Sequence, residues 1–163
     1  MVQFSQLPRP EGLTEVETVL DIGAGLRPMG WYKPKLHICV EPFEPYAKAL
    51  RSAGYSVWHM TALEALDLAF GGPPIDAIYM LDVIEHMMRG QGERALELAK
   101  ALKPKQIVVS TPVGFLAQHG DAWGMGGEHW QEHRSGWTPD DFPGWAISYY
   151  DNGHGRGFTA VSP

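Results

Sequence analysis

The feature of this chain that most constrains its fold is an apolar strand that runs into two closely spaced glycines. Residues 18–22 (TVLDI) are typical of a β-strand, and Gly23 and Gly25 predict a tight turn directly after it. Glu41 follows a second apolar run, 36–40, and lies twenty residues after Asp21. Glycines after a first strand let a ligand approach the backbone, and an acidic residue after the second strand can accept hydrogen bonds from ribose hydroxyls. The spacing predicts a nucleoside-binding α/β fold, the alternative being a structural turn and a solvated glutamate.

Strand-like and helix-like segments alternate along the rest of the chain. Strands are predicted at 56–60, 75–81 and 106–110, and helices at 45–53, from Thr61 onward and at 93–102. Residues 26–34 hold two prolines and a glycine, which allow at most a turn or two of helix. Two β-rich runs, 145–150 and 158–161, flank a glycine-rich stretch and predict a C-terminal hairpin. This order predicts a largely parallel sheet covered by helices.

Length and charge narrow the function classes. A length of 163 residues suits one domain, 1–163. The net charge of -6 disfavours general nucleic-acid binding through a basic surface. The single cysteine, Cys39, excludes an internal disulfide framework and fits a reducing compartment. No apolar run is long enough for a membrane span, and residues 1–6 lack the pattern of a signal peptide, so we expect a cytoplasmic protein without a membrane partner.

A dinucleotide cofactor is the weaker alternative for the first turn. The third glycine of the G-x-G-x-x-G fingerprint lets the next helix pack close to a pyrophosphate. Pro28 occupies that position in this chain, beside Arg27 and ahead of Gly30. A nicotinamide- or flavin-dependent oxidoreductase is therefore disfavoured.

Five motifs, in this order and spacing, carry a resemblance to a known family. They are VLDIGAG at 19–25, Glu41, IDAIYMLDVIEHM at 75–87, LKP at 102–104 and IVVSTP at 107–112. From about residue 17 to its C-terminus the chain resembles the class I S-adenosylmethionine-dependent methyltransferases of the small-molecule type. The resemblance implies a Rossmann-like α/β fold with a mostly parallel seven-stranded sheet, whose last strand runs antiparallel, and S-adenosylmethionine as the cofactor.

The resemblance also implies which residues bind that cofactor. Asp21, Gly23 and Gly25 would surround its amino-acid end, while Glu41 would hold the ribose. Other positions that match the family's cofactor site are Pro42 and Phe43 beside the adenine, Thr61, Ala62 and Leu63 at its edge, and Leu81 and Asp82 near the sulfonium. Many members carry an aspartate near position 61, and this chain does not. Arg27 could reach the methionyl carboxylate, a contact well suited to a guanidinium, or could cap a nearby chain end at the surface.

Three histidines are candidates for catalysis. His86 follows the fourth strand, on the side where ligands bind in open α/β sheets, and an imidazole can take the proton of a hydroxyl nucleophile. His129 and His133 are its rivals. Alternatively, His86 is a helix-start histidine bonded to a carbonyl group. Methyl transfer from a sulfonium is a direct displacement, so holding the nucleophile in line can supply much of the catalysis.

The long segment 113–137 is the predicted acceptor-site loop. It is rich in glycine, histidine and tryptophan, and loops of this length are usually functional or disordered. Trp123, Trp130 and Trp137 would either form flat walls for an acceptor ring or pack the loop onto the sheet. No metal is assigned, although small-RNA ribose methyltransferases bind a divalent ion with a Glu–His pair after the fourth strand and a further histidine. Glu85, His86, His129 and His133 could imitate that set.

Together these observations predict a methyltransferase that acts on a hydroxyl of a small polar or saccharide-like metabolite. Substrate specificity would come from 113–137, from the first 17 residues or from a second subunit. The alternatives are a non-catalytic methyltransferase-like partner subunit and a metal-assisted RNA ribose 2′-O-methyltransferase. A small-molecule acceptor is the expected partner, nucleic acid is not expected, and a homodimer or partner subunit remains open.

Overall fold

The computed structural model describes residues 8–151, 153 and 155–163 and contains a seven-stranded sheet. The strands lie side by side in the order β3-β2-β1-β4-β5-β7-β6. Their bounds are Thr18–Ile22 (β1), Leu36–Val40 (β2), Ser56–Trp58 (β3), Ala77–Leu81 (β4), Gln106–Pro112 (β5), Ala146–Asp151 (β6) and Arg156–Val161 (β7). Residues 1–7 lie outside the described residues, and with them the first part of the 1–17 segment to which substrate specificity was assigned as an alternative. Residues 152 and 154 of the predicted hairpin loop also lie outside them.

Strands β1 to β5 pair in parallel, and β7 runs antiparallel to both of its neighbours. β1 pairs with β2 and β4, β2 with β3, and β4 with β5, all in parallel register. β7 pairs antiparallel with both β5 and β6. The predicted topology is therefore confirmed: the sheet is mostly parallel and ends in an antiparallel hairpin. Because the carboxyl ends of β1, β2, β4 and β5 meet at one edge, the loops that follow them surround one site.

The helices cover both faces of the sheet. They are Glu44–Ser52 (α1), Ala62–Ala69 (α2), Arg89–Ala101 (α3) and the short Glu128–Gln131 (α4). α2 and α3 pack on one face with Leu20, Ile78 and Val109, whereas Leu50 of α1 packs on the other with Cys39. α2 begins with the predicted capping box, in which the Thr61 side chain and Glu64 satisfy each other's backbone amides. Among the described residues, no helix is long and apolar enough to cross a membrane.

The connection from β1 to β2 differs most from an ordinary βαβ unit. Residues 26–35 form no helix, because Pro28, Gly30 and Pro34 interrupt it. Met29 is buried there, and Trp31 and Tyr32 pack beside it on Tyr79 of the central strand. The irregular segment thus covers the area of sheet that a helix would otherwise cover.

Several predicted boundaries were wrong by a few residues. α3 starts at Arg89 rather than Glu93, since Gln91 accepts from the Met88 amide and caps a first turn that contains two glycines. β5 continues through Pro112, which lies where the ladder to β7 ends. β4 starts at Ala77 rather than Ile75, because Asp76 instead accepts from the Thr18 amide.

Candidate functional site

The two glycines after β1 form the turn that the sequence predicts. Gly23 and Gly25 have φ angles of 65° and 55°, in the left-handed region that favours glycine. A Cβ on Gly23 would come within 2.6 Å of a Val83 methyl group. The amides of Gly23 and Ala24 both donate to the Val40 carbonyl, which fixes the turn beside the end of β2. Any side chain on Gly23 would therefore displace the segment that follows β4.

A cavity of about 750 Å³ opens at this edge of the sheet. Its volume lies within the range of small-molecule sites. Most of the residues predicted to bind a cofactor or an acceptor line it: Gly23, Gly25, Arg27, Glu41, Pro42, Thr61, Ala62, Leu63, Leu81, Asp82, His86, His129 and His133. The carboxyl ends of β1, β2 and β4 thus share one continuous space with the 113–137 loop.

Glu41 is a buried carboxylate at one end of the cavity. Its side-chain oxygens accept from the amides of Gly25 and Phe43, each at 2.9 Å, so the carboxylate is held toward the glycine turn. Burial raises its pKa to about 7, despite these hydrogen bonds. A carboxylate in this position can accept further hydrogen bonds from a ligand that enters the cavity.

Two predicted cofactor residues do not line the cavity. Asp21 is buried, and its carboxylate accepts from the Met29 amide at 2.7 Å and lies 2.8 Å from His37 Nε2. It therefore fixes the irregular segment after the turn. Phe43 starts α1 and packs edge-on against Tyr46. Asp21 therefore contacts the segment after the turn and Phe43 contacts α1, and neither is part of the cavity lining.

The other end of the cavity is formed after β4. Asp82 has a φ of 61°, a costly conformation for a residue with a side chain, and its amide donates to the Ser110 carbonyl. A short 3-10 turn, Ile84–His86, follows at once and carries Glu85 inward and His86 to the cavity. A strained residue directly before inward-facing polar groups is a common arrangement at functional sites.

Glu85, His86 and His133 form a compact cluster of possible ligand atoms. Their side-chain donor atoms all lie within 4.8 Å of one another, and the two imidazole rings are 4.8 Å apart. Glu85 is fully buried, and neither carboxylate oxygen has a partner at full hydrogen-bond geometry in the described part of the chain, although the Asp82 and Thr111 side chains lie beside it. Burial, and then the nearby Asp82 carboxylate, raise the pKa of Glu85 well above its usual range. Burial lowers the pKa of His86, which favours its neutral form.

A short hydrogen bond selects the ring nitrogen that His133 presents, whereas His86 has weaker contacts with backbone carbonyls. His133 Nδ1 donates to the Leu116 carbonyl at 2.6 Å, and His86 Nδ1 lies 3.4 Å from the Glu132 carbonyl. A neutral ring that donates from Nδ1 keeps a lone pair on Nε2. Nε2 of His133 is buried and has no partner among the described residues. The cluster therefore offers basic nitrogens and an unpartnered carboxyl group.

The loop after β5 is attached firmly to this cluster. The amides of Arg134 and Ser135 both donate to the Glu85 carbonyl, at 2.7 and 3.1 Å. Ser135 Oγ also donates to the Ile84 carbonyl and accepts from the Trp137 indole. His129, by contrast, lies on the exposed α4 and outside the compact cluster. Of the two rivals to His86, only His133 is brought into contact with it.

The three tryptophans of the loop have different environments. Trp137 is 1% exposed and packs in the core under the Arg89 guanidinium, whereas Trp123 and Trp130 line the cavity. Sequence reasoning missed Tyr46 and Tyr150, which also line it. Tyr150 lies on β6, where its hydroxyl accepts from Ser110. Neither tyrosine belongs to a motif, so only the tertiary structure reveals it.

Comparison with known proteins supports the fold. No protein-family model matches the chain, and no curated protein matches it. Similar solved structures include the methyltransferase domain of bacterial CtHen1, at 19% identity and a TM-score of 0.54 over 89% of each chain. A SAM-dependent methyltransferase from Archaeoglobus fulgidus is 14% identical, with a TM-score of 0.60 over 90% of this chain and 85% of that one.

A third similar structure is the N-terminal domain of EvdMO1 in the presence of SAH and D-fucose. It is 12% identical, with a TM-score of 0.58 over 90% of this chain and 75% of that one. Together with the strand order, these likenesses define the fold: it is that of the class I S-adenosylmethionine-dependent methyltransferases.

Proposed function

We propose that this chain is an S-adenosylmethionine-dependent methyltransferase that methylates a hydroxyl group of a small polar or saccharide-like metabolite. One observation carries the proposal: a single cavity joins the glycine turn and Glu41 at one end to His86 and His133 at the other. The first end fits a nucleoside with an amino-acid tail, because the glycine turn and a buried acceptor, Glu41, both line it. The second end fits a hydroxyl acceptor, because the lowered pKa of His86 favours a neutral imidazole that can take a proton.

The cofactor, when bound, supplies a methyl group activated on a sulfonium. Glu41 would accept hydrogen bonds from the ribose hydroxyls, and Pro42 and Leu63 would flank the base. The backbone at Leu81 and Asp82 would lie beside the activated methyl group. His86 Nε2 would take the proton of the acceptor hydroxyl. Trp130 offers an apolar wall for a sugar face, and the presence of D-fucose with EvdMO1 supports a saccharide-like acceptor.

The first test is calorimetric titration with S-adenosylhomocysteine, with NAD as the parallel control. We expect micromolar binding of the former and none of the latter. Binding of NAD alone would overturn the proposal in favour of an oxidoreductase domain. Methyl transfer from labelled S-adenosylmethionine to a panel of saccharides and other hydroxyl compounds then separates an enzyme from a non-catalytic partner subunit, which would bind cofactor without turnover.

His86→Ala identifies the proposed base. The variant should lose roughly 10²- to 10⁴-fold in turnover, which is the usual contribution of a general base. Its affinity for S-adenosylhomocysteine should remain that of the wild type, because Glu41 and the glycine turn are untouched. His119→Ala is the matched control, at an exposed position outside the cavity lining. Equal turnover in wild type and His86→Ala would remove His86 from the reaction.

A second candidate, metal-assisted ribose 2′-O-methylation of RNA, is favoured by a specific observation. Both carboxylate oxygens of Glu85 and the Nε2 of His133 are buried without a partner at full hydrogen-bond geometry among the described residues. Such donors, with His86, fit a divalent cation that accepts imidazole and carboxylate ligands. A hydroxyl bound to the cation would lose its proton more readily. Against this candidate stands the net charge of -6.

Metal dependence separates the two candidates. Turnover of a small hydroxyl acceptor that is unaffected by EDTA would support the first. Turnover of a ribose-terminated RNA that EDTA abolishes and Mn²⁺ restores would support the second. Glu85→Gln keeps the shape of the side chain and would lose Mn²⁺ binding in calorimetry if Glu85 is a ligand.

A further inference from the structure

The indole N–H of Trp123 is buried in the cavity region and has no hydrogen-bond partner among the described residues. Tryptophan is a donor only, and its N–H usually finds an acceptor when it is buried. Leaving such a donor unpaired costs free energy, so each case needs an explanation. The other loop indole buried in the fold, that of Trp137, does have a partner, Ser135 Oγ at 2.9 Å.

The ring of Trp123 covers the glycine turn after β1. A Cβ on Gly25 would lie 2.6 Å from Trp123 Cη2, so the absence of a side chain at Gly25 is what lets the ring come this close. The ring also packs edge-on against Tyr46 of α1, with the ring centroids 4.9 Å apart. Since Glu41 bonds to the Gly25 amide, the indole and the Glu41 carboxylate both adjoin one peptide unit.

Asp121 holds Trp123 in this place. Its carboxylate accepts from the backbone amides of Trp123, Met125 and Gly127, at 2.8, 2.6 and 3.0 Å, and so closes the turn that carries the ring. It also accepts from the Tyr46 hydroxyl at 2.5 Å. Partial burial of Asp121 opposes ionisation, but these hydrogen bonds outweigh it and lower the pKa to about 2. The turn is therefore fastened to α1 by a charged group at neutral pH.

Gln131 completes the attachment. Its amide nitrogen donates to the Tyr46 hydroxyl at 2.7 Å and to Asp121 at 2.9 Å, while its side-chain oxygen accepts from the Ala122 amide at 2.8 Å. The residues on both sides of Trp123 are thus fixed by hydrogen bonds, so the indole is held in place before a ligand arrives. The indole N–H is the unpaired donor in this network of described residues, and it belongs to a residue that lines the cavity.

We propose that Trp123 is a cofactor-binding residue whose indole N–H donates to an oxygen of S-adenosylmethionine, in its ribose or its carboxylate, while the ring covers the turn at Gly25. This inference rests on the proposed function for the identity of the ligand. It adds a donor from the loop after β5 to a site otherwise built from the loops after β1, β2, β3 and β4. The loop then binds the cofactor as well as the acceptor.

The test compares Trp123→Phe with wild type in calorimetric titrations with S-adenosylhomocysteine. Phenylalanine keeps an aromatic ring over Gly25 and removes the N–H. We expect affinity to fall roughly 3- to 30-fold, the value of one hydrogen bond. The matched control is Trp145→Phe, which removes an indole outside the cavity and should bind as wild type does. Equal affinity in wild type and Trp123→Phe would overturn the proposal.

Two further measurements identify the oxygen that accepts the hydrogen bond and test whether Trp123 lies beside the ligand. Adenosine has the ribose but not the carboxylate. If Trp123→Phe binds adenosine more weakly than the wild type does, the acceptor is the ribose. If the two proteins bind adenosine equally well, the acceptor is the carboxylate. The fluorescence difference between wild type and Trp123→Phe isolates the emission of Trp123, which should change when S-adenosylhomocysteine is added. Failure of the wild type to bind would overturn the cofactor itself, whereas wild-type binding with no effect of Trp123→Phe overturns only this inference.

Discussion

Glu41 is almost fully buried, although its side chain carries a carboxyl group that is ionised in water at neutral pH. Its two backbone donors, at Gly25 and Phe43, only partly offset the loss of water. With a pKa near 7, the folded protein holds a proton on Glu41 that the unfolded chain releases near pH 4.5. Stability contributed by this group is therefore present below the lower pKa and is lost as pH rises through the folded value.

Glu41→Gln should reveal this dependence, because glutamine has no proton to lose. The free energy of unfolding of the wild type, minus that of the variant, should fall by about 3 kcal/mol between pH 4.5 and pH 8. Urea denaturation at a series of pH values measures it. Glu97→Gln, at an exposed position of α3, controls for the removal of one negative charge. A difference that does not vary with pH would contradict the burial of Glu41 as described.

The sequence predicted those cavity residues that can be recognised from their spacing after a strand. Gly23 and Gly25 are recognisable because a strand precedes them, and Glu41 because it follows the next strand. Tyr46, Trp123 and Tyr150 line the cavity but were not predicted as cofactor residues: Trp123 and Tyr150 lie in segments distant along the chain, and Tyr46, although close to Glu41, belongs to no motif. Asp21 has the expected position in the motif, yet its carboxylate is directed to Met29 and His37 by hydrogen bonds that no local pattern reveals.

At the scale of elements, α3 packs against the loop 113–137 at Gly92 and Arg89. Gly92 faces Trp137, and a Cβ there would lie 2.6 Å from Trp137 Cζ2 and 3.0 Å from a side-chain carbon of Ile84. Trp137 cannot move aside easily, because Arg89 lies over one face at 3.8 Å and Phe142 packs beside it. The glycine in mid-helix is thus required by packing, although it lowers helix propensity.

Gly92→Ala should consequently destabilise the protein. Overpacking costs about 1–3 kcal/mol, and the gain in helix propensity returns at most about 1 kcal/mol. Gly90→Ala on the same helix is the matched control, because a Cβ there meets nothing within 4 Å. That variant should be neutral or slightly more stable. Chemical denaturation of both variants measures the difference, and equal stabilities would contradict the packing of Trp137 against α3.

The identity of most elements followed from the sequence, whereas their ends did not. Most elements were recognisable from local patterns, in which a residue acts on its neighbours along the chain. Examples are the alternation of strands and helices, the capping-box spacing at Thr61 and the prolines of 26–34. The start of α3 depends on a cap by Gln91, and the length of β5 on its ladder with β7. The arrangement of 113–137 was beyond prediction because its hydrogen bonds, such as those from Arg134 and Ser135 to Glu85, join residues about fifty positions apart.

Taken as a whole, the molecule places both halves of its site on loops that follow one sheet. A ligand that fills the cavity contacts the ends of β1, β2 and β4 together with the loop after β5, and it must stabilise all of them jointly. S-adenosylhomocysteine at a hundred times its dissociation constant should raise the free energy of unfolding by about 2.7 kcal/mol.

For a chain of this size we expect the melting temperature to rise by roughly 5–10 °C in response. Differential scanning fluorimetry measures the shift, with NAD at the same concentration as the control. Stabilisation by NAD and not by S-adenosylhomocysteine would show that the cavity was assigned to the wrong nucleoside.

The paired amide bonds to the Glu85 carbonyl have a consequence for ligand exchange. Residues 134–135 are joined to the end of β4 through the backbone, so this part of the cavity cannot open without disrupting the turn that carries His86. The hydrogen bonds described between 121–131 and α1, by contrast, all pass through the Tyr46 side chain. When a ligand enters or leaves, we therefore expect the cavity to open beside α1, where only side-chain hydrogen bonds must break, while residues 134–135 stay attached to the end of β4.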